Sequence, residues 1–278
     1  MDRHPNRPAE IPPEIAEAWE RALPRLGPFA RRLRWFSTVG STNEIALGLA
    51  DDGAAEGTTI AADTQTAGRG RRGREWFSAP GAGLYVSVVL RPEARRLPMP
   101  AEPATPRITL AAGVALAEGV RASTGLPAEL KWPNDLVSTR RKLAGILAET
   151  SGDAGDGSAV VVGIGINVRH TPFPSALAAT ATSLETELGR PVDRALVLVE
   201  TLAALAARYE DLRTGRFDAI LTAWRGYAPS LAGAAVEWDG PHGVVRGHAV
   251  DVGPDGALLV SSGGALRRLI AGEVRWTR

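Results

Sequence analysis

Apolar positions along this 278-residue chain fall into two rhythms, helical and alternating, and their order predicts a mixed architecture. Near the N-terminus, "PPEIAEAWERAL" carries apolar residues at helical spacing, one short amphipathic helix in a Pro-rich, polar segment. "RLRWFSTV" reads as a strand. "STNEIALGLADDG" starts a helix, with Ser41 and Glu44 spaced as a capping box and Gly53 near its end. "TTIAAD" and "GLYVSVVLRP" are strand-like and flank an arginine- and glycine-rich loop. "ITLAAGVALAEGVRAST" is a long apolar helix suited to lie against a sheet. The runs "AELKW", "KLAGILAET" and "AVVVGIGINV" predict three more strands, the last two joined by a hairpin turn at "SGDAGDGS". "DRALVLVETLAALAARYEDL" and "FDAILTAWRGY" are helical. After about Leu231 the pattern turns to short alternating runs, "AAVEWDG", "GVVRGHAVDV", "GALLVSS" and "ALRRLIAGEVRWT", which predict a small β-barrel. The expected fold class is therefore α/β (α+β): an N-terminal extension over residues 1–32, a mixed sheet flanked by helices over 33–230, and a C-terminal barrel over 231–278.

Charge and composition narrow the function. Thirty-two basic and 31 acidic residues leave a formal net charge of +1, so no overall field draws the chain to nucleic acid or an anionic membrane. No apolar run approaches the length of a membrane span, and the first 25 residues hold no secretory pattern. Cysteine is absent, which excludes disulfides and thiolate sites. A soluble cytoplasmic protein is expected. Of the basic residues only Lys131 and Lys142 are lysine; Gln65 is the single glutamine, and Asn6, Asn43, Asn134 and Asn167 are the four asparagines. Rich use of Ala, Arg, Gly and Pro points to a coding bias against these types. A lysine or amide that persists is then a good place to look for chemistry.

"AGRGRRGREW" places Arg69, Arg71, Arg72 and Arg74 among Gly68, Gly70 and Gly73. One reading is a solvated basic turn or a nucleic-acid tract. The other is an ordered loop whose guanidiniums grip a small polyanion, since planar Arg forks bind phosphate and carboxylate bidentately and glycine lets backbone approach closely. Its GxGxxG spacing is not a dinucleotide fingerprint, because no helix follows it. There is no GxxxxGK[ST] motif, and His4, His170, His242 and His248 are scattered, so no metal site is expected. "KWPNDL" delivers Lys131 from a strand to a turn, where an ammonium could stabilise charge developing on phosphate or carboxylate. Gln65 and Asn167 each end a strand-like run, and Ser41 stands at a helix start, where backbone N–H groups are free.

In this order and spacing, "STNE", "QTAGRGRRGREW", "KWPNDL", "RKLAGILAE" and "VVGIGINV" resemble a biotin protein ligase over roughly residues 33–278. The resemblance implies a fold of the biotin/lipoate ligase type. It also implies an activity: biotin and Mg2+-ATP give biotinyl-5′-AMP, and a lysine of a biotin carboxyl carrier domain then takes the biotinyl group. It implies that Ser41, Thr42, Asn43 and Gln65 bind the ureido end of biotin, and that Gly145 lets a strand pass close to it. Arg69, Gly70 and Arg71, on the loop after Gly68, would close over the biotin carboxylate and α-phosphate as a lid. Lys131 would bind the same groups and stabilise the transferring phosphate. Arg74, Trp76 and Asn167 would line the ATP side.

Some 32 residues precede the first core strand, too few for the winged-helix DNA-binding domain of bifunctional members, so no DNA role is expected. No membrane partner is expected either, and the oligomeric expectation is a monomer or weak homodimer. The competing readings are a lipoate or octanoate ligase of the same fold, a nucleic-acid-binding module using the Arg/Gly loop, and a non-catalytic biotin-binding protein, which Lys131 and the C-terminal β unit argue against. The first would need a histidine-bearing glycine-rich stretch, and the second aromatics interleaved with the arginines; neither is present between Arg69 and Arg74.

Overall fold

Seven short strands form one mixed sheet in the order β1-β2-β3-β7-β6-β5-β4. They are β1 (Leu33–Phe36), β2 (Thr59–Ala62), β3 (Gly83–Leu90), β4 (Glu129–Lys131), β5 (Asp135–Ser138), β6 (Arg141–Thr150) and β7 (Val160–Asn167). Only β1 and β2 pair in parallel; the other neighbours are antiparallel. The structure, a computed structural model, describes residues 8–92, 104–152, 159–240, 243–270 and 274–277. Most of the "SGDAGDGS" turn lies outside the described residues.

β3 and most of β7 are buried on both faces, as expected of central strands with cover on each side. One face, with Leu84, Val86, Val88 and Val162, packs on α3 (Thr105–Thr124) and α6 (Arg194–Arg213), with α7 (Phe217–Tyr227) beyond. On the opposite face Ile60, Ala62, Val89 and Val161 pack on Ala46 and Ala50 of α2 (Thr42–Asp51). Further along the α2 face the residues become small or polar: Ser87 on β3, Gly163 and Gly165 on β7, and Gly145 on β6. A hollow opens over these positions, with Tyr85 and Leu147 among its walls.

The N-terminal helix α1 (Pro13–Ala22) buries Ile15, Ala18, Trp19 and Ala22 in the same core as α6, and Ala9 N–H bonds Trp35 O at the outer edge of β1. Two short helices, α4 (Ser175–Ala178) and α5 (Leu184–Leu188), lie between β7 and α6. No described helix is long and apolar enough to cross a membrane.

Three local expectations change. Ser41 has the extended backbone of an N-cap, but its hydroxyl makes no capping bond; Gln65 Oε1 reaches in from beyond β2 and accepts from Thr42 N–H at 2.8 Å. A tertiary partner thus satisfies the first N–H of α2, and the expected capping box does not form among the described residues. β5 was not expected at all, since its four residues include a single buried apolar side chain, Leu136. The C-terminal barrel is instead an open antiparallel sheet, ordered β11-β10-β9-β8-β12. Its strands are β8 (Ala235–Gly240), β9 (Gly243–Val252), β10 (Leu258–Ser262), β11 (Ala265–Leu269) and β12 (Val274–Trp276). Among the described residues nothing pairs β11 with β12. Closure is not needed to bury the apolar face, because Val236, Trp238, Ala249, Val252, Leu258 and Val260 join the main core directly.

Candidate active site

The hollow on the α2 face is a cavity of about 560 Å3. Backbone makes its floor: Gly145 and Gly165 stand opposite one another in the β6–β7 register, and the Trp76 indole lies on them. A Cβ at Gly165 would come within 2.7 Å of Trp76 Cε2, and one at Gly163 within 2.0 Å of Asn43 Oδ1. Only glycine leaves that room.

The start of α2 supplies a polar cluster. Asn43 Nδ2 donates to Leu147 O (3.2 Å) and Glu149 Oε2 (2.8 Å), while Asn43 Oδ1 accepts from the buried Ser87 hydroxyl (2.6 Å). Thr42 Oγ1 lies 2.8 Å from Ser87 Oγ and 3.1 Å from Gln65 Oε1. Ser41 lines the cavity, and its hydroxyl has no hydrogen-bond partner among the described residues.

The Arg/Gly loop is a tight hairpin. Trp76 N–H donates to Gly68 O (2.8 Å), Gly70 N–H to Arg74 O (2.7 Å), and Arg71–Gly73 form a 3-10 turn at the tip. Arg69 is held by Glu149 (2.6 Å) and Arg71 reaches Asn134 Oδ1 (3.4 Å). Burial, and then the neighbouring Arg72, push the Arg71 pKa down. Lys131 sits at the end of β4, before a cis Trp132–Pro133 bond. Burial lowers the pKa of its ammonium below the ordinary lysine value; Asp135 opposes the shift and Lys142 adds to it. Half-buried cations interact more strongly with an incoming anion than fully solvated ones would.

Of the residues singled out in the sequence, Ser41, Thr42, Asn43, Gln65, Arg69, Gly70, Arg71, Arg74, Trp76, Lys131, Gly145 and Asn167 all line this one cavity. Gly68 does not; it supports the hairpin, where a Cβ would meet Trp76 O at 2.6 Å.

Residues 35–167 match the family described as the biotin/lipoate A/B protein ligase family. The biotin–[acetyl-CoA-carboxylase] ligase of Paracoccus denitrificans is 36% identical, over 84% of this chain and 96% of its own length. The chain belongs to the biotin protein ligase family. A second biotin–[acetyl-CoA-carboxylase] ligase, from Mycobacterium tuberculosis, is 35% identical over 88% of each chain. The biotin protein ligase from Aquifex aeolicus, solved in complex with biotin and ATP, has a TM-score of 0.75 at 29% identity, covering 89% of this chain and 99% of that one.

The cavity of this biotin protein ligase family member also holds residues that sequence reasoning missed. Lys142 pairs with Asp135 (2.6 Å) and lies 5.3 Å from the Trp76 ring centre. As one of only two lysines it carried a signal. Glu149, behind the wall, joins Asn43 to Arg69; it ends the "RKLAGILAE" motif, which by itself gives it no role. Val274, Arg275 and Trp276 of β12 line the cavity too, with Lys131 Nζ 5.9 Å from the Trp276 ring centre. The site is therefore not confined to residues 33–230. Asn167 lines the cavity, but its amide donates to Thr182 O (3.0 Å) and so fastens the segment that follows β7.

Proposed function

We propose that the chain activates biotin with ATP and passes the biotinyl group to one lysine of a biotin carboxyl carrier domain. The observation that carries this is one cavity combining a glycine floor, a hydroxyl and amide cluster, and the arginine hairpin with Lys131. In the first step a biotin carboxylate oxygen attacks the α-phosphorus of ATP. The bond to the β-phosphate oxygen breaks and pyrophosphate leaves. In the second, the neutral amine of the carrier lysine attacks the acyl carbon, AMP leaves, and the amine loses its extra proton.

Ser41, with its free hydroxyl, and Gln65 are assigned to the ureido end, with Thr42 beside them. Asn43 shapes that end mainly by position, since both its amide hydrogens are already committed within the protein. Lys131, Arg69 and Arg71 are assigned to the carboxylate and α-phosphate, where fixed cations stabilise charge without reorganising. Arg74, Trp76 and Asn167 are assigned to the nucleotide side. The hairpin acts as a lid that keeps water from the mixed anhydride. Mg2+ brought in with ATP would offset phosphate charge during the transfer; among the described residues no group of three His, Cys, Asp or Glu could hold a metal ion of the protein's own. The Arg/Gly hairpin faces the cavity, which argues against a nucleic-acid role for it. A reaction on ATP and a carboxylase carrier belongs in the cytoplasm.

The test is exchange of labelled pyrophosphate into ATP by the purified chain. Biotin should support exchange, while lipoate and octanoate should not. Equal exchange with octanoate would refute the substrate assignment.

A further inference from the structure

Among the described residues three non-glycine positions have left-handed backbone: Arg72 (φ +60°), Thr139 (φ +47°) and Arg140 (φ +67°). All three gather at one place. Arg72 and Arg140 line the cavity, and Thr139 adjoins Arg140. L side chains avoid this conformation, β-branched ones most of all, and it tends to collect at functional sites.

Thr139 and Arg140 are the two central residues of the turn between β5 and β6, which the Ser138–Arg141 pair closes. A two-residue hairpin with positive φ at both centres favours Asn-Gly. Here the chain has Thr-Arg instead. Thr139 is accounted for by a clamp: its hydroxyl donates to Glu187 Oε2 (3.2 Å), as Ser138 Oγ does (2.7 Å), and Arg141 holds the other carboxylate oxygen (2.5 Å). Nothing comparable explains Arg140. Its guanidinium has no hydrogen bond or ion pair with the described residues, yet it stands on the cavity rim.

Eight Arg and Lys side chains line the cavity; Arg69, Lys142 and Arg275 are paired with Glu149, Asp135 and Asp239, whereas Arg140 adds a cation that no carboxylate among the described residues pairs. The outer two phosphates of ATP, released as pyrophosphate, supply the missing negative charge. We propose that Arg140 binds the β- and γ-phosphates of ATP and the pyrophosphate formed from them, and that the strained Thr139–Arg140 turn is kept because it sets this guanidinium at the cavity rim. The contact is a charge-assisted hydrogen bond to phosphate oxygen. This assignment rests on the ligase reading above.

Arg140→Gly is the decisive variant. Glycine is at ease at φ +67°, so the variant should fold at least as well as the parent, with an unchanged or higher thermal midpoint. Calorimetric titration with inorganic pyrophosphate, and KM values for ATP and biotin in adenylate formation, give the readouts. Arg140→Gly should weaken pyrophosphate binding and raise the KM for ATP by about three- to fivefold, the size of one solvent-facing charged contact. The KM for biotin should stay unchanged, and Arg140→Lys should recover most of the loss. Pyrophosphate binding equal to that of the parent, no binding by the parent itself, or an equal rise in both KM values would overturn the proposal. A parent that makes no biotinyl-adenylate yet binds pyrophosphate through Arg140 would sink the ligase reading and leave the polyphosphate site standing.

Discussion

Replacing Gly163 by alanine drives a methyl group into the side chain that orders the cavity. In a strand interior alanine normally beats glycine by about 0.5–1 kcal/mol. Here the new Cβ would stand 2.0 Å from Asn43 Oδ1 and 2.8 Å from Asn43 Cγ. Asn43 cannot swing aside without loss, because three hydrogen bonds hold it, to Ser87, Leu147 and Glu149. Breaking them costs about 1 kcal/mol each, and the overpacking itself adds about 1–3 kcal/mol. After subtracting the glycine term, a destabilisation of about 3–5 kcal/mol is expected. Asn43→Ala removes the obstruction and the same bonds. In that background Gly163→Ala should cost nothing or stabilise by up to about 1 kcal/mol, a coupling of about 3–6 kcal/mol across the pair. Urea unfolding followed by tryptophan fluorescence measures all four proteins, with equal m-values as the check on two-state behaviour. If Gly163→Ala costs the same in both backgrounds, the clash with Asn43 is not the reason for the glycine.

Lys131→Ala should slow adenylate formation by about 10²- to 10³-fold while weakening biotin binding far less; a near-parent single-turnover rate would remove Lys131 from the chemistry. Because burial lowers the Lys131 pKa and the charged form is the active one, the rate should fall on the alkaline side at a pH below the ordinary lysine range. Asp135→Asn removes the carboxylate that opposes this shift and should move that limb lower still, as a pH–rate profile would show. Burial pushes the Glu187 pKa up, but hydrogen bonds from Thr182, Ser138 and Thr139 and the charge of Arg141 outweigh it, and the net value is lowered. Its stabilisation is thus present above the usual glutamate pKa and lost as pH falls through the lowered value. Glu187→Gln should flatten the acid side of stability measured against pH; an unchanged slope would refute the clamp.

Much of this protein is determined by the chain alone, because periodicity and turn chemistry are local. The near-continuous apolar runs "GLYVSVVL" and "VVVGIGIN" place β3 and β7, and the helical spacing of "RALVLVETLAAL" places α6. Scarcity of lysine and amide residues leads to Lys131, Gln65 and Asn167 before any fold is known. Other features were decided only by the tertiary structure. Ser41 has the residue type and spacing of a cap yet makes no capping bond, while Gln65, 23 positions beyond Thr42, accepts from the first N–H of the helix. Gly163 reads as a weak point in a strand until register brings Asn43 against it. Trp276 looks ordinary in sequence and Glu149 only ends a motif; Glu149 becomes the link between Asn43 and Arg69, and Trp276 a wall beside Lys131. The β5 strand and the open C-terminal sheet follow the same rule. Local pattern sets which backbone conformation a segment favours, while strand register and packing decide which distant side chain fills the space beside it.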